Sequence, residues 1–190
     1  MSTLEWMAAG LGIVTILLVV RRSIWNFPFA LAMVSLYFFV FLEAKLYSDA
    51  LLQIFFFAIN LYGWWAWSRA PQVDDGVAVE GMSAKARANW LAGTAAGSAL
   101  LGWTMATYTD AAVPYADAAV AGMSIAAQIL QSLRRFESWI LWIAVDVFAV
   151  GLYASRGLYP TAALYAIFLM LAVGGLLAWS RKLEARAVSA

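Results

Sequence analysis

The residue with the most chemical potential in this sequence is Asp146, a single carboxylate in the middle of a long apolar segment. An ionised carboxylate at the centre of a bilayer costs about 2.5–3.5 kcal/mol on insertion scales. Trp142 and Trp139 precede it by four and seven residues, so all three share one face of a helix. A carboxylate beside indole rings can hold a cationic aromatic ring through charge attraction and cation–π contact. The alternative is a structural aspartate bonded to a neighbouring helix.

Amide side chains form a second set of candidate binding residues. Gln53 and Asn60 are seven residues apart on one helical face, and Gln128 lies deep in another apolar segment. A primary amide both donates and accepts hydrogen bonds, which suits a carboxamide, a sugar hydroxyl or a base edge. Bonding between membrane helices is the alternative role. Trp64 faces towards Asn60 and either lines the same pocket or anchors the helix at the membrane interface, the role that we assign to Trp67.

The composition indicates an integral membrane protein. Only 12% of the residues are charged and 65% are hydrophobic, against about 25% and 45–50% in soluble domains. The chain has no cysteine and no histidine, which removes thiol nucleophiles, imidazole bases and the usual zinc ligands. We therefore predict no enzyme activity, no metal and no cofactor. The net charge of +1 gives no reason to expect a nucleic-acid partner.

Seven membrane-spanning helices are predicted, which makes the fold class all-α. Asn26 and Ser138 are predicted to cap the second and sixth helices, and Pro114 and Pro160 suit the first turns of the fifth and seventh. Residues 69–87 form a polar linker. Because a membrane-crossing helix needs about 17–25 apolar residues, we place the spans at about 4–20, 25–43, 48–68, 88–108, 114–133, 138–155 and 159–180.

Lysine and arginine lie almost entirely on one side of these spans. Ten fall on one side and two, Lys45 and Arg156, on the other. Basic residues are retained on the cytoplasmic side, so we expect the N-terminus outside and the C-terminus inside the cell. We interpret the pairs at 21–22 and 134–135 as topology determinants.

The chain also contains an internal repeat. Residues 46–69 align without a gap on residues 158–181, at an offset of 112, with ten identical positions. Upstream we align residues 25–39 with 139–153 at an offset of 114, and the arginine pairs at 113. Each half then has three spans, and the fourth span crosses once, so the copies run parallel. The predicted units are 1–68, the linker with the fourth helix at 69–112, and 113–190.

The polar residues at mid-depth differ between the two copies. The alignment places Gln53 opposite Tyr165 and Asn60 opposite Ala172, and it also pairs Asp146 with Ala32 and Gln128 with Thr15. A symmetric lattice of structural hydrogen bonds would keep its polar residues in both halves. The asymmetry favours a small asymmetric guest between the halves, which is where duplicated transporters bind substrate.

Two segments of the sequence resemble the signatures of PnuC-type vitamin transporters. The first runs from Lys45 to Gln53 and on to the Tyr62-Gly63-Trp64-Trp65 motif. The second runs from Glu137 through Trp139 and Trp142 to Asp146, followed by Gly157-Leu158-Tyr159. Seven spans in a three-one-three arrangement match as well, so the resemblance covers nearly the whole chain.

This resemblance implies a SWEET-like fold and uptake of nicotinamide riboside across the bacterial inner membrane. It further implies facilitated diffusion without an energy source, with a cytosolic kinase that traps the product. Similar proteins carry thiamine, riboflavin or deoxynucleosides, and these substrates stay open, as does a homo-oligomeric state. A membrane sensor or scaffold that transports nothing is the alternative of a different class. The substrate-site residues implied by the resemblance are Gln53, Asn60, Gln128, Trp139, Trp142 and Asp146.

Overall fold

The described part of the chain folds into seven helices, as predicted. The computed structural model describes residues 3–43, 47–73, 76–110, 113–155, 157 and 159–188, without the side chains of residues 47, 48 and 186–188. Most helix boundaries lie within a residue of those expected, but the fourth helix starts four residues earlier and the seventh continues for eight more. The helices are α1 (Thr3–Val20), α2 (Asn26–Glu43), α3 (Tyr47–Ser68), α4 (Ala84–Tyr108), α5 (Pro114–Ser132), α6 (Ser138–Ser155) and α7 (Tyr159–Val188).

Two of the predicted helix caps are wrong. The side-chain amide of Asn26 donates to the backbone oxygen of Ser23 at 2.7 Å instead of accepting from its own helix. The buried Ser138 hydroxyl has no hydrogen-bond partner among the described residues. At the starts of α2 and α6 the backbone amides bond to backbone oxygens of the preceding turn, as Phe27 does to Ile24 and Ile140 does to Glu137, so these amides do not need a side-chain cap. Ser83 does cap α4, accepting from the backbone nitrogen of Ala86 at 3.3 Å.

Six of the helices form a closed ring. Going around it, α1 packs against α2, α2 against α3, α3 against α5, α5 against α6, α6 against α7, and α7 against α1. The first and second halves of the chain therefore meet at two junctions, α3 with α5 and α1 with α7. Helix α4 packs outside the ring, against α5. The ring places α2 and α6 across from each other.

Five helices (α1, α2, α3, α6 and α7) are long and apolar enough to cross a membrane by length and composition. Helices α4 and α5 have 25 and 19 residues but contain more alanine, glycine, serine and threonine. Because α5 lies in the ring between α3 and α6, it must share their span. Its polar residues are shielded by its neighbours, so this helix needs less apolar surface than a lipid-facing one.

The two halves repeat at a single offset of 112 residues, so the predicted offsets of 114 and 113 are wrong. Helices α2 and α6 start and end at equivalent positions on this offset. The turn before α2 contains Arg22 at a φ of 58°, and its counterpart Arg134 has a φ of 59°. Asp146 therefore corresponds to Val34 and not to Ala32. Gln128 corresponds to Ile16, by the same offset.

An aromatic quartet fills one end of the ring, where the halves meet. We use this name for Phe27, Trp67, Trp139 and Trp179. Phe27 packs edge-on against Trp67 at a ring-centroid distance of 5.2 Å, and the equivalent pair Trp139 and Trp179 does so at 5.6 Å. The Trp67 and Trp179 rings are 6.2 Å apart and both side chains are fully buried. The interpretation of Trp67 as an interfacial anchor is therefore wrong.

Two of the three tryptophans of the quartet, Trp67 and Trp179, also bond across the junctions between halves. The Trp67 indole of α3 donates to the backbone oxygens of Gln131 and Ser132 in α5, at 3.3 and 3.2 Å. The Trp179 indole of α7 donates to the backbone oxygen of Val19 in α1 at 3.2 Å. Since helices lack partners for their last carbonyls, these bonds satisfy the ends of α1 and α5.

The polar linker is packed against the same end of the ring, which we call the linker end. Its strands β1 (Gln72–Val73) and β2 (Gly76–Val77) pair antiparallel. Residues Val77 and Val79 are 1% exposed and belong to the same buried cluster as the quartet. The linker and the quartet together close this end of the ring.

Candidate functional site

A central polar cluster joins three helices of the ring. The Asn60 side-chain oxygen in α3 accepts from the Gln128 amide in α5 at 3.1 Å, and both residues are buried. The Trp142 indole of α6 donates to the side-chain oxygen of Gln131 in α5 at 3.0 Å. Three of the predicted site residues are thus brought together around α5. Gln131 is an additional member that the predicted site did not include.

Asp146 lies one helical turn beyond Trp142 and is 6% exposed. Within the described part of the chain, its carboxylate has neither a hydrogen bond nor an ion pair. Tyr165 of α7 lies within electrostatic range of it, and stacks on Tyr153 with ring centroids 5.3 Å apart. A buried, unpaired carboxylate is costly, and this arrangement leaves it available to a cation that enters the ring.

Trp139 connects the polar cluster to the aromatic quartet. Its side chain is 2% exposed, and its indole nitrogen has no hydrogen-bond partner among the described residues. The ring lies directly on Gly175 of α7, where an added Cβ would come within 2.5 Å of the indole carbons. Trp139 is therefore packed between Gly175 and the quartet with an unused donor.

Gln53 and Trp64 lie on the same helix as Asn60 but outside this bonded cluster. Gln53 is half-buried, two turns away towards the opposite end of the ring, and makes no hydrogen bond in the described part of the chain. Trp64 is 38% exposed, one turn towards the linker end. Trp64 is thus the most exposed of the predicted site residues.

Thr15 of α1 is a candidate that the sequence did not single out. Its hydroxyl is buried and has no partner among the described residues. The hydroxyls of Ser35, Thr104 and Ser124 instead bond to the backbone oxygen four residues earlier, at 2.7, 2.9 and 2.8 Å. A helical hydroxyl that does not do so is free to bond another molecule. The only signal in the sequence is one hydroxyl in an apolar segment.

A cavity of about 440 Å³ lies elsewhere, between α4 and α5. Its lining includes Trp90, Gly97 and Ser98 of α4 with Gly122 and Ile125 of α5. None of the predicted site residues lines it, and its walls carry no charged side chain. This cavity is a gap between small residues outside the ring, separate from the polar cluster.

Known proteins are similar to this chain in sequence and fold over most of their length. The family model described as "Nicotinamide mononucleotide transporter" matches residues 2–181. The nicotinamide riboside transporter PnuC of Escherichia coli (strain K12) is 28% identical over 217 residues, covering 100% of this chain and 91% of that protein. The riboflavin/roseoflavin transporter RibM of Streptomyces davaonensis is 28% identical over 172 residues, covering 89% and 80%. A crystal structure of the vitamin B3 transporter PnuC superposes with a TM-score of 0.82 at 25% identity, covering 96% of this chain and 82% of that one.

Proposed function

We propose that this chain, which belongs to the nicotinamide mononucleotide transporter family, carries nicotinamide riboside across a bacterial inner membrane by facilitated diffusion. The observation that carries this choice is Asp146, buried beside Trp142 without a partner in the described part of the chain. Nicotinamide riboside has a cationic pyridinium ring, which a carboxylate and indole faces attract.

The remaining polar groups suit the other parts of such a substrate. The amides of Gln53, Asn60 and Gln128 can bond the carboxamide, because a primary amide both donates and accepts. Thr15 offers an unused hydroxyl and Trp139 an unused indole N–H for the ribose. Trp64 contributes to the wall near Asn60. Each of these groups lies on a helix of the ring, so the substrate would contact both halves.

The transport cycle that we propose is a rocking of the two halves, 1–68 and 113–190, with residues 69–112 as their connection. We infer from the basic side chains around the linker that this end faces the cytoplasm, with the N-terminus outside. The aromatic quartet then forms the inner barrier. The sequence has no phosphate-binding loop of the GxxxxGK[ST] type, so we infer a downhill carrier whose product a cytosolic kinase traps.

Riboflavin is the second candidate substrate, because the riboflavin/roseoflavin transporter RibM and the E. coli nicotinamide riboside transporter are each 28% identical to this chain. Thiamine, like nicotinamide riboside, contains a cationic aromatic ring and would use Asp146 in the same way. Riboflavin is neutral and gains less from that carboxylate. A binding panel with these three compounds and a deoxynucleoside therefore ranks the candidates by charge.

The deciding experiment is uptake of labelled nicotinamide riboside into liposomes that contain the purified protein, without ATP or an ion gradient. We expect saturable uptake down the concentration gradient. Uptake that depends strictly on a proton gradient would replace uniport by symport. A protein that binds the riboside but never moves it would be a sensor.

A further inference from the structure

The linker contacts the turn that follows α1 in the first half of the chain. The backbone nitrogen of Val77 donates to the backbone oxygen of Arg22 at 3.1 Å. The Arg22 guanidinium donates to the backbone oxygens of Val73 and Val77 at 3.2 and 3.3 Å. These bonds hold the two-stranded hairpin of the linker against the first half.

A larger set of contacts binds the next linker residues to the second half. The backbone of Glu80 accepts from Phe136 at 3.1 Å and donates to Arg134 at 3.0 Å. Its carboxylate pairs with Arg134 at 3.1 Å and with Arg135 at 2.8 Å. The Arg134 side chain also donates to the backbone oxygen of Ala78 at 3.0 Å. The linker therefore ties the two halves together beneath the quartet.

Glu137 strengthens the attachment to the second half. Its side chain is almost fully buried and accepts from the backbone nitrogen of Met82 and from Arg87, both at 2.8 Å. The Arg87 guanidinium also lies 5.5 Å from the centre of the Phe136 ring. Charge-assisted bonds of this kind are about twice as strong as neutral ones. The described contacts with the second half therefore include two glutamates, Glu80 and Glu137, that each bond to arginine.

The contact with the first half depends on Gly76. A Cβ at this position would lie 2.7 Å from the Cβ of Arg22 and 2.9 Å from the backbone oxygen of Arg21. Gly81, in the same linker, would bring its Cβ no closer than 3.5 Å to Phe136, which is ordinary contact. A side chain at Gly76 should therefore disturb the contact with the first half, whereas a side chain at Gly81 should leave the packing of the linker unchanged.

We propose that residues 72–73 and 76–82 act as a latch at the linker end of the ring. The latch stays bound to Arg134, Arg135 and Glu137 and releases from the Arg22 turn when the linker end opens. Val77 and Val79 then separate from Phe27 and Trp67, the quartet residues of the first half, because they move with the second half. This inference rests on the proposed transport function, since only a transporter needs that end to open.

The first test measures opening without any substrate. Because the chain has no cysteine, Ala172→Cys places a single thiol in the buried cluster beside the quartet. A membrane-impermeant maleimide applied from the linker side reports how often that cluster opens. We expect labelling about tenfold faster with Gly76→Ala, because overpacking one contact can shift a two-state equilibrium by that factor. Gly81→Ala is the matched control and should label at the parent rate. Equal labelling rates in the two variants would overturn the latch.

The second test locks each attachment with a disulfide. The pair Arg22→Cys with Val77→Cys, at residues joined by a backbone hydrogen bond, fastens the linker to the first half. The pair Glu80→Cys with Arg135→Cys, at bridge partners, fastens it to the second. We expect oxidation to stop riboside uptake in the first pair only, and reduction to restore it. Loss of uptake in both pairs, or in neither, contradicts the proposed direction of release. If the reduced proteins carry no riboside, the proposed substrate fails, and the labelling result still decides the latch.

Discussion

Replacing Asp146 by Asn tests whether the buried carboxylate recognises charge. The substitution keeps the size of the side chain and removes its negative charge. Asp146 is 6% exposed, so little water screens its attraction for a cation. The pyridinium nitrogen is quaternary and donates no hydrogen bond, so the attraction is between charges. Close charge pairs at interfaces couple by about 1.5–7 kcal/mol, and each 1.4 kcal/mol is a factor of ten in Kd. We therefore expect the affinity for nicotinamide riboside to fall by about tenfold or more.

Calorimetry with two ligands isolates this effect. Nicotinamide riboside is cationic, and its dihydro form has nearly the same shape but no charge. The wild-type protein should prefer the cation, and Asp146→Asn should lose that preference while its affinity for the dihydro form changes little. The reasoning is refuted if both ligands lose the same affinity, because the substitution would then have damaged the site by shape alone.

The thermal stability of the same variant separates recognition from a structural role. Within the described residues Asp146 bonds to nothing, so removing its charge relieves an unpaired buried carboxylate. We expect the unfolding temperature of the ligand-free variant to stay the same or rise. A fall would show that the carboxylate serves the fold, which is the structural alternative.

Three further predictions concern the walls of the site. Gly175→Ala should destabilise the protein by about 1–3 kcal/mol by overpacking and weaken riboside binding by moving the adjacent indole ring. Gly174→Ala, which has nothing within 4 Å of its added Cβ, should do neither. Thermal unfolding and calorimetry compare the two variants, and equal effects would argue against the contact between Gly175 and the indole. Asn60→Leu or Gln128→Leu alone should each lower the free energy of unfolding by about 1–3 kcal/mol, because the remaining buried amide loses its partner. The double variant should lose about 0.6 kcal/mol less than the sum of the two single losses, and at most about 1.7 kcal/mol less. Strictly additive unfolding energies would show no coupling between the two amides. Thr15→Val should weaken riboside binding by about 2- to 10-fold through one lost hydrogen bond, and Thr15→Ser should not; equal affinities in the two variants would remove Thr15 from the site.

The helices could be predicted closely from the sequence because their signals are local. Apolar length and the prolines at 114 and 160 placed most helix ends within a residue. The candidate polar residues were also visible, because Asp146 and the amides interrupt apolar segments. Hydrogen bonds between side chains were not predictable, since Asn60 meets Gln128 only after α3 and α5 have packed together.

The repeat shows the same division. Identity alone set the correct offset for α3 and α7, where ten positions match. In α2 and α6 the matching tryptophans at 25 and 139 misled the alignment by two residues. Packing places Phe27 and Trp139 at equivalent positions, because each meets a tryptophan of the helix that follows it.

The sequence by itself determined that this chain is a duplicated membrane protein of seven helices with one carboxylate at mid-depth, because composition, hydropathy and identity are properties of the linear chain. Only the tertiary structure decided that six of these helices close into a ring, that Trp67 and Trp179 are buried at one end of it, and that the polar linker seals the same end. Those features depend on contacts between residues far apart in the chain, and such contacts form only when the surfaces of separate helices fit together.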